Sequence, residues 1–305
     1  MNNLLRTVVS FSLPFLFLAI GAACLWVVLA LIKSALKRST GRSPLTREML
    51  RPPGSSLRAR IAKLDQEAVA SVIVIALTPM FVFMAFQHQA ARGGMGSVLI
   101  QTVVAIVVSI GLIAAYSRVL WHAVIERRKS VLGLEGELAT AEELNRLMLK
   151  GCHVYHDIPF EYGNIDHVVV SSSGVYAVDT KMHSRNGDAN EAVVDRDTIH
   201  FPDRDFAIPI KQLETASNWL SKYLTSATRI PVNAEPMVAL PGWFVKRKER
   251  GKVYVINPTN PHRFFIHDKR QRFSTSEMEQ IAHQLDRLCR DVQPSFQDRE
   301  PFIPE

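Results

Sequence analysis

The sequence predicts an α/β chain in two parts: an N-terminal three-helix transmembrane region, then a domain with a central mixed β-sheet flanked by helices. Three observations carry that reading. Long uncharged apolar runs crowd residues 1–121, short segments rich in β-branched residues follow from residue 152 onward, and helical patterns with one apolar stripe flank those segments. The expected divisions are a membrane region over 1–121, a folded domain over 122–292 and a loose, polar, Pro-containing tail over 293–305.

Residues 7–32 carry no charge and, at about 1.5 Å per residue, are more than long enough to cross about 30 Å of hydrocarbon. Residues 68–87 form a second such run, in which Pro79 is expected to kink the helix, and residues 95–117 form a third. A buried core helix is the ordinary alternative for any one of them, but three in succession argue for a bilayer. A cleaved signal peptide is another reading of the first run, since Arg6 precedes it and Gly21-Ala22-Ala23-Cys24 stands inside it. The apolar run continues well past Cys24, beyond the length of a signal core, and reads as a membrane helix.

Between the first two runs, Lys33, Lys37, Arg38, Arg42, Arg47, Arg51, Arg58, Arg60 and Lys63 face only Glu48, Asp65 and Glu67; Arg118, Arg127, Arg128 and Lys129 follow the third. Basic flanks stay on the cytoplasmic side. The expectation is therefore three spans in the cell inner membrane, with the N-terminus outside and the C-terminal domain in the cytoplasm. Arg51-Pro52-Pro53-Gly54-Ser55-Ser56 reads as a linker. Much of the net charge of +7 lies in this membrane-proximal segment, so it supports orientation more than choice of partner. Cys24, Cys152 and Cys289 share no CxxC spacing, which argues against a zinc site or a disulfide framework.

In the domain, Leu134, Leu138, Ala141, Leu144 and Leu147 recur at helical spacing between Arg127 and Leu149, and Gly151 ends that helix. Glu137 lies early in it, where periodicity alone makes it an ordinary first-turn acid. Cys152 to Ile158 reads as a strand. Asn164 to Lys181, NIDHVVVSSSGVYAVDTK, reads as a β-hairpin, with Ser171-Ser172-Ser173-Gly174 as its turn. A polar loop holding Arg185 follows, then sheet segments at Val193–Val194 and Thr198–Phe201, then a helix from Pro209 to Leu224 with Ile210, Leu213, Ala216 and Leu220 on its buried stripe. Pro236 to Leu240 and Lys252 to Ile256 read as buried strands, with the basic run Lys246–Arg250 between them as a solvated loop. Ser274 to Cys289 reads as a closing helix capped around Ser274 and Glu277.

A hairpin turn centred between Ser172 and Ser173 sets Asp166 opposite Asp179. Like charges placed cross-strand repel unless something positive sits between them, and a divalent cation fits. The period of a strand returns Lys181 to the face of Asp179, within reach of a water or phosphate held there. His167 points to the other face, and His153 and His156 stand at odd spacing, so none of the three is assigned to a metal.

Asp166, followed after a hairpin by Asp179-Thr180-Lys181, resembles the metal centre of the PD-(D/E)xK restriction-endonuclease-like nucleases. The wider segment is similar to the nuclease-related domain (NERD) family. The residues that carry this are Gly133-Leu134-Glu135-Gly136-Glu137, Ile165-Asp166-His167, Gly174 to Lys181 and the downstream Gln212, over about half of the chain from Val131 to the 280s. One position departs: Asp179 stands where that family usually has Glu, and the broader pattern takes either acid. The resemblance implies a restriction-endonuclease-like domain holding Mg²⁺ or Mn²⁺ through Asp166, Asp179 and Glu137. Lys181 would orient the attacking water and Gln212 would assist. It gives a site role to Glu137 but not to Glu135. The implied activity is a metal-dependent endonuclease, a phosphodiesterase acting on DNA, with RNA left open, beside a lipid bilayer. Two other classes stay open: a catalytically silent module that binds nucleic acid or protein, and a structural membrane protein with a scaffolding domain.

Overall fold

A computed structural model describes residues 47–90, 95–185, 187–266 and 271–293, together with a few residues between 26 and 34. The chain divides into two units. Lys63–Glu126 belongs to the first, whereas Leu45–Ala62 and Arg127–Gln297 fold as the second.

The first unit is helical among its described residues. Helix α1 (Ser55–Ala90) begins in the second unit and continues in the first, and α2 (Met95–Asn145) begins in the first and continues in the second. Each has a stretch long and apolar enough to cross a membrane: an 18-residue window averages a hydropathy of 1.5 within Ser55–Val82 and 2.2 within Thr102–Lys150. Only 11% and 0% of those apolar windows are buried, unlike a core helix, and Val69, Ile73, Phe81, Ile106 and Ile110 stay exposed. The hydroxyls of Ser71, Thr78 and Ser109 donate to the carbonyls of Glu67, Val74 and Ala105 at 2.8, 2.7 and 2.6 Å, so they are satisfied within their own helices.

These two helices contain the runs at 68–87 and 95–117. Most of the expected first span, 7–32, lies outside the described residues, so two candidate helices are seen rather than three spans. Pro79 lies inside α1 without ending it. The separate helix expected over Arg127–Leu149 is instead the continuation of α2, because no Gly or Pro between Ser117 and Arg127 interrupts the helix.

The second unit mixes helices and sheets. Its elements are β1 (Met49–Leu50), a 3₁₀ turn over Arg146–Lys150, β2 (His153–Phe160), β3 (Gly163–Ser171), β4 (Gly174–Thr180), β5 (Glu191–Asp195), β6 (Thr198–His200), β7 (Asp205–Ala207), α3 (Ile210–Thr228), β8 (Ala234–Ala239), β9 (Phe244–Glu249), β10 (Tyr254–Ile256), α4 (His262–Phe265), α5 (Thr275–Cys289) and β11 (Arg290–Val292). Five strands form a sheet in the order β10-β8-β4-β3-β2, antiparallel from β2 to β4 and parallel from β4 through β8 to β10. The parallel step from β4 to β8 requires a crossover, and α3 lies on it.

Strands β3 and β4 are apolar on both faces because both faces are covered. Val168, Val170, Val175 and Ala177 pack with Leu220, Leu224, Ile281 and Leu285 of α3 and α5. Val169, Tyr176 and Val178 pack with Leu144, Leu147 and Phe265 on the other side. A second sheet, β7-β6-β5-β9, joins through a core of Val194, Ile199, Leu213, Val238 and Trp243. Gly151 takes φ 82 after the 3₁₀ turn, a left-handed end that suits glycine. A capping box joins Ser274 and Glu277 at the start of α5. Cys152 and Cys289 are free and buried.

The basic run expected as a loop is strand β9. It pairs in parallel with β5, and its lysines meet the acids of that strand: Lys246 with Glu191 at 2.7 Å and Lys248 with Asp195 at 2.9 Å. Arg247 stacks over Tyr254. Of the expected tail, only Gln293 is described.

Candidate active site

The turn of Ser172 and Ser173 between β3 and β4 fixes the register from Ser171↔Gly174 to His167↔Val178. One step further along that ladder sets Asp166 across from Asp179. Asp166 Oδ2 accepts from the Thr180 amide at 2.7 Å, which ties the two strand ends together. Lys181 follows with its amide donating to Ala239 O at 2.9 Å, so β8 anchors the end of β4. Its Nζ stands 2.8 Å from Asp179 Oδ2 and donates to Oδ1 at 3.1 Å. The closer contact is an ion pair without hydrogen-bond alignment, and Oδ2 is left without a donor.

Glu137 arrives from α2, and Gly136 explains how. A Cβ on Gly136 would stand 2.6 Å from Met182 Cβ and 3.4 Å from Thr180 Cγ2, so only glycine lets this helical turn approach the strand end so closely. Glu137 is buried, with Oε2 lacking any hydrogen-bond partner, whereas Glu135 is exposed.

Charge is concentrated at this point. Burial, with Asp157 and Asp179 nearby, pushes the Glu137 carboxyl up to about 7. Burial, Asp179 and Glu137 raise Asp166 well above the usual carboxylate range, against the lowering effect of the Thr180 amide. Burial raises Asp179 as well, and Lys181 opposes it. Burial would lower Lys181, but Asp179, Asp166 and Glu137 outweigh it and raise its pKa. Three mutually repelling carboxyl groups therefore share one ammonium.

The donor set consists of carboxylate oxygens, the ligands that hard divalent cations take. Glu137 Oε2, buried without a hydrogen-bond partner, and Asp179 Oδ2, which meets the Lys181 ammonium at 2.8 Å, fit such an ion. Among the described residues, no three His, Cys, Asp or Glu side chains already stand close enough to hold one.

Asp157 was not legible as part of this neighbourhood. It is buried at φ 51, accepts from Asn164 Nδ2 at 2.9 Å and pairs with Arg51 at 3.4 Å. No local pattern distinguishes it from an ordinary strand acid.

On the other face of the hairpin, His167 Nε2 meets Thr180 Oγ1 at 3.2 Å, His167 Nδ1 meets His156 Nδ1 at 2.9 Å, and His156 Nε2 meets Asn145 Oδ1 at 3.0 Å. With Asn145 Oδ1 accepting, one direction satisfies every atom: Thr180 donates to His167, His167 to His156, and His156 to Asn145. That scheme needs two neutral rings. Burial supplies the condition, lowering His156 to about 4 and His167 well below its ordinary value.

Gln212 is exposed on the first turn of α3 and makes no side-chain hydrogen bond to the carboxylates among the described residues. Arg185 is exposed in the loop after Lys181.

Comparison with known proteins adds a family. No curated protein and no solved structure matches the chain. The family model described as nuclease-related domain matches residues 132–241, a stretch that contains Glu137, Asp166, Asp179, Lys181 and Gln212. The chain thus carries a nuclease-related domain, NERD, over residues 132–241.

Proposed function

We propose that the protein is a membrane-anchored, metal-dependent nuclease that hydrolyses phosphodiester bonds of DNA, with its nuclease-related domain on the cytoplasmic side of the inner membrane. The observation that carries this reading is the Lys181–Asp179 ion pair at 2.8 Å, with buried Asp166 tied to the same strand end and Glu137 Oε2 buried without a hydrogen-bond partner.

Asp166, Asp179 and Glu137 would hold Mg²⁺ or Mn²⁺. Bound there, the ion supplies charge neutralisation at the scissile phosphate and a more acidic water. Lys181, set against Asp179, steadies the negative charge that develops on the phosphate oxygens and orients the water. Gln212, exposed at the start of α3, assists as a contact to substrate. Lys246 and Lys248 are held in cross-strand ion pairs with Glu191 and Asp195.

The second reading is a silent binding module. Lys181 already neutralises Asp179, and the acids are not drawn to ligating separation, which favours it. Incubating the detergent-purified full chain with linear DNA, circular DNA and RNA, in Mg²⁺ or Mn²⁺ and then with chelator, separates the two. The nuclease reading expects DNA cleavage that needs the ion and disappears in Asp179→Ala. Cleavage that survives both treatments rejects this mechanism, and nucleic acid binding without cleavage by the folded protein supports the module.

A further inference from the structure

The segment Met49–Arg58 lies ahead of the stretch that matches the nuclease-related domain, yet it belongs to the same folded unit. It is tied at both ends. Strand β1 pairs with β11, Met49↔Val292 and Leu50↔Arg290, and the Arg51 amide donates to Cys289 O at 2.9 Å. The Arg51 guanidinium grips Asp291 through Nε and Nη2 at 2.7 and 2.6 Å and turns Nη1 to the carbonyl and carboxylate of Asp157 at 3.3 and 3.4 Å. Asp157 also accepts from the Ser56 amide at 3.3 Å.

Between these ties the chain passes under α2. Gly54 stands at φ +70, where a Cβ would lie 2.2 Å from Leu134 Cδ1 and 3.6 Å from Glu137 Oε2. Its amide favours the charged form of the Glu137 carboxyl. A larger residue here is strained by the positive φ and must displace the end of the Leu134 side chain, which stands one helical turn from Glu137.

We propose that this segment completes the candidate active site, with Gly54 and the Arg51–Asp157 pair as positioning residues for Glu137. The inference rests on the nuclease reading for the role of Glu137 as an ion ligand. The contact itself is independent of that reading.

The test uses the full chain in detergent, with Gly54→Ala, Arg51→Gln and Arg51→Lys. Three quantities are followed: thermal unfolding by tryptophan fluorescence, the Mn²⁺ midpoint and maximal rate of DNA cleavage, and deuterium uptake of the peptide covering residues 132–139. Gly54→Ala and Arg51→Gln are expected to raise that uptake and to raise the Mn²⁺ midpoint about tenfold or more, while saturating Mn²⁺ restores most of the rate. A merely structural defect would lower the maximal rate instead. Arg51→Lys, which keeps the charge but loses the planar fork, should fall between wild type and Arg51→Gln. Unchanged uptake and an unchanged midpoint in folded variants overturn the inference. If Gly54→Ala does not fold, Arg51→Gln decides by the same readings. If the wild type shows no metal-dependent cleavage, the nuclease reading falls, and uptake over 132–139 alone decides the positioning role.

Discussion

Lys181 faces Asp179, Asp166 and Glu137, and its single ammonium offsets only part of the charge they carry when ionised. In the proposed nuclease mechanism, removing it takes away the donor that would meet the charge developing on the phosphate. Lys181→Ala should therefore lower single-turnover DNA cleavage by about 10²- to 10³-fold. The buried histidines make a different prediction. His156 is held neutral by burial, so its pKa in the folded domain, about 4, lies below its unfolded value near 6.5. A depressed folded pKa means that stability is present above the unfolded value and is lost as pH falls from about 6.5 toward 4. Urea unfolding should show a loss on the order of 1 kcal/mol between pH 7 and pH 5, discounted for partial exposure, and His156→Gln should flatten that slope. Asp166 and Asp179 were legible because the Ser172-Ser173 turn fixes which residues face each other across the hairpin. Glu137 needed the family resemblance, since a first-turn helix acid looks the same whether or not it points at a site. Asp157 was invisible because its partner Arg51 is remote in sequence.

The hairpin of β3 and β4 and the helices α3 and α5 follow from local pattern: β-branched runs around a turn, one apolar stripe on each helix, and a capping box at the start of α5. Strand β9 did not, because Lys246 and Lys248 read as solvated charges until the acids of β5 are set beside them. Such lysines suit an edge strand, where they discourage pairing with another chain. Helix α2 runs on from its apolar stretch into the second unit because an uninterrupted helical pattern carries no stop signal. The packing of that helix on the strand end turns on Gly136. Gly136→Ala places a Cβ 2.6 Å from Met182 Cβ and should cost about 1–3 kcal/mol, read as a lower urea midpoint. Ser274→Ala removes the capping box of α5 and should cost about 1 kcal/mol by the same measurement, without altering cleavage.

Across the chain, the nuclease-related domain is not self-contained in sequence, because Leu45–Ala62 folds with Arg127–Gln297. Pairing between Met49 and Val292 cannot be read from composition, which shows only a Pro- and Gly-containing linker there. A fragment of residues 122–305 leaves buried Asp157 without Arg51 and Ser56, and it should unfold at lower urea than the same domain in the full chain, by about 2 kcal/mol. Two long, apolar and unburied helices make alkaline carbonate extraction informative as well. The full chain should stay with the membrane pellet, whereas release into the supernatant would count against anchoring.

Titrating the metal-free full chain with Mn²⁺, while following the free-ion electron paramagnetic resonance signal, asks whether Asp166, Asp179 and Glu137 share a divalent cation. A saturable site in the wild type that is abolished by Asp166→Asn and by Asp179→Asn, with the fold intact, is the expected result. Free Mn²⁺ that rises in step with the amount added to the wild type, or a site that persists in both variants, would contradict it.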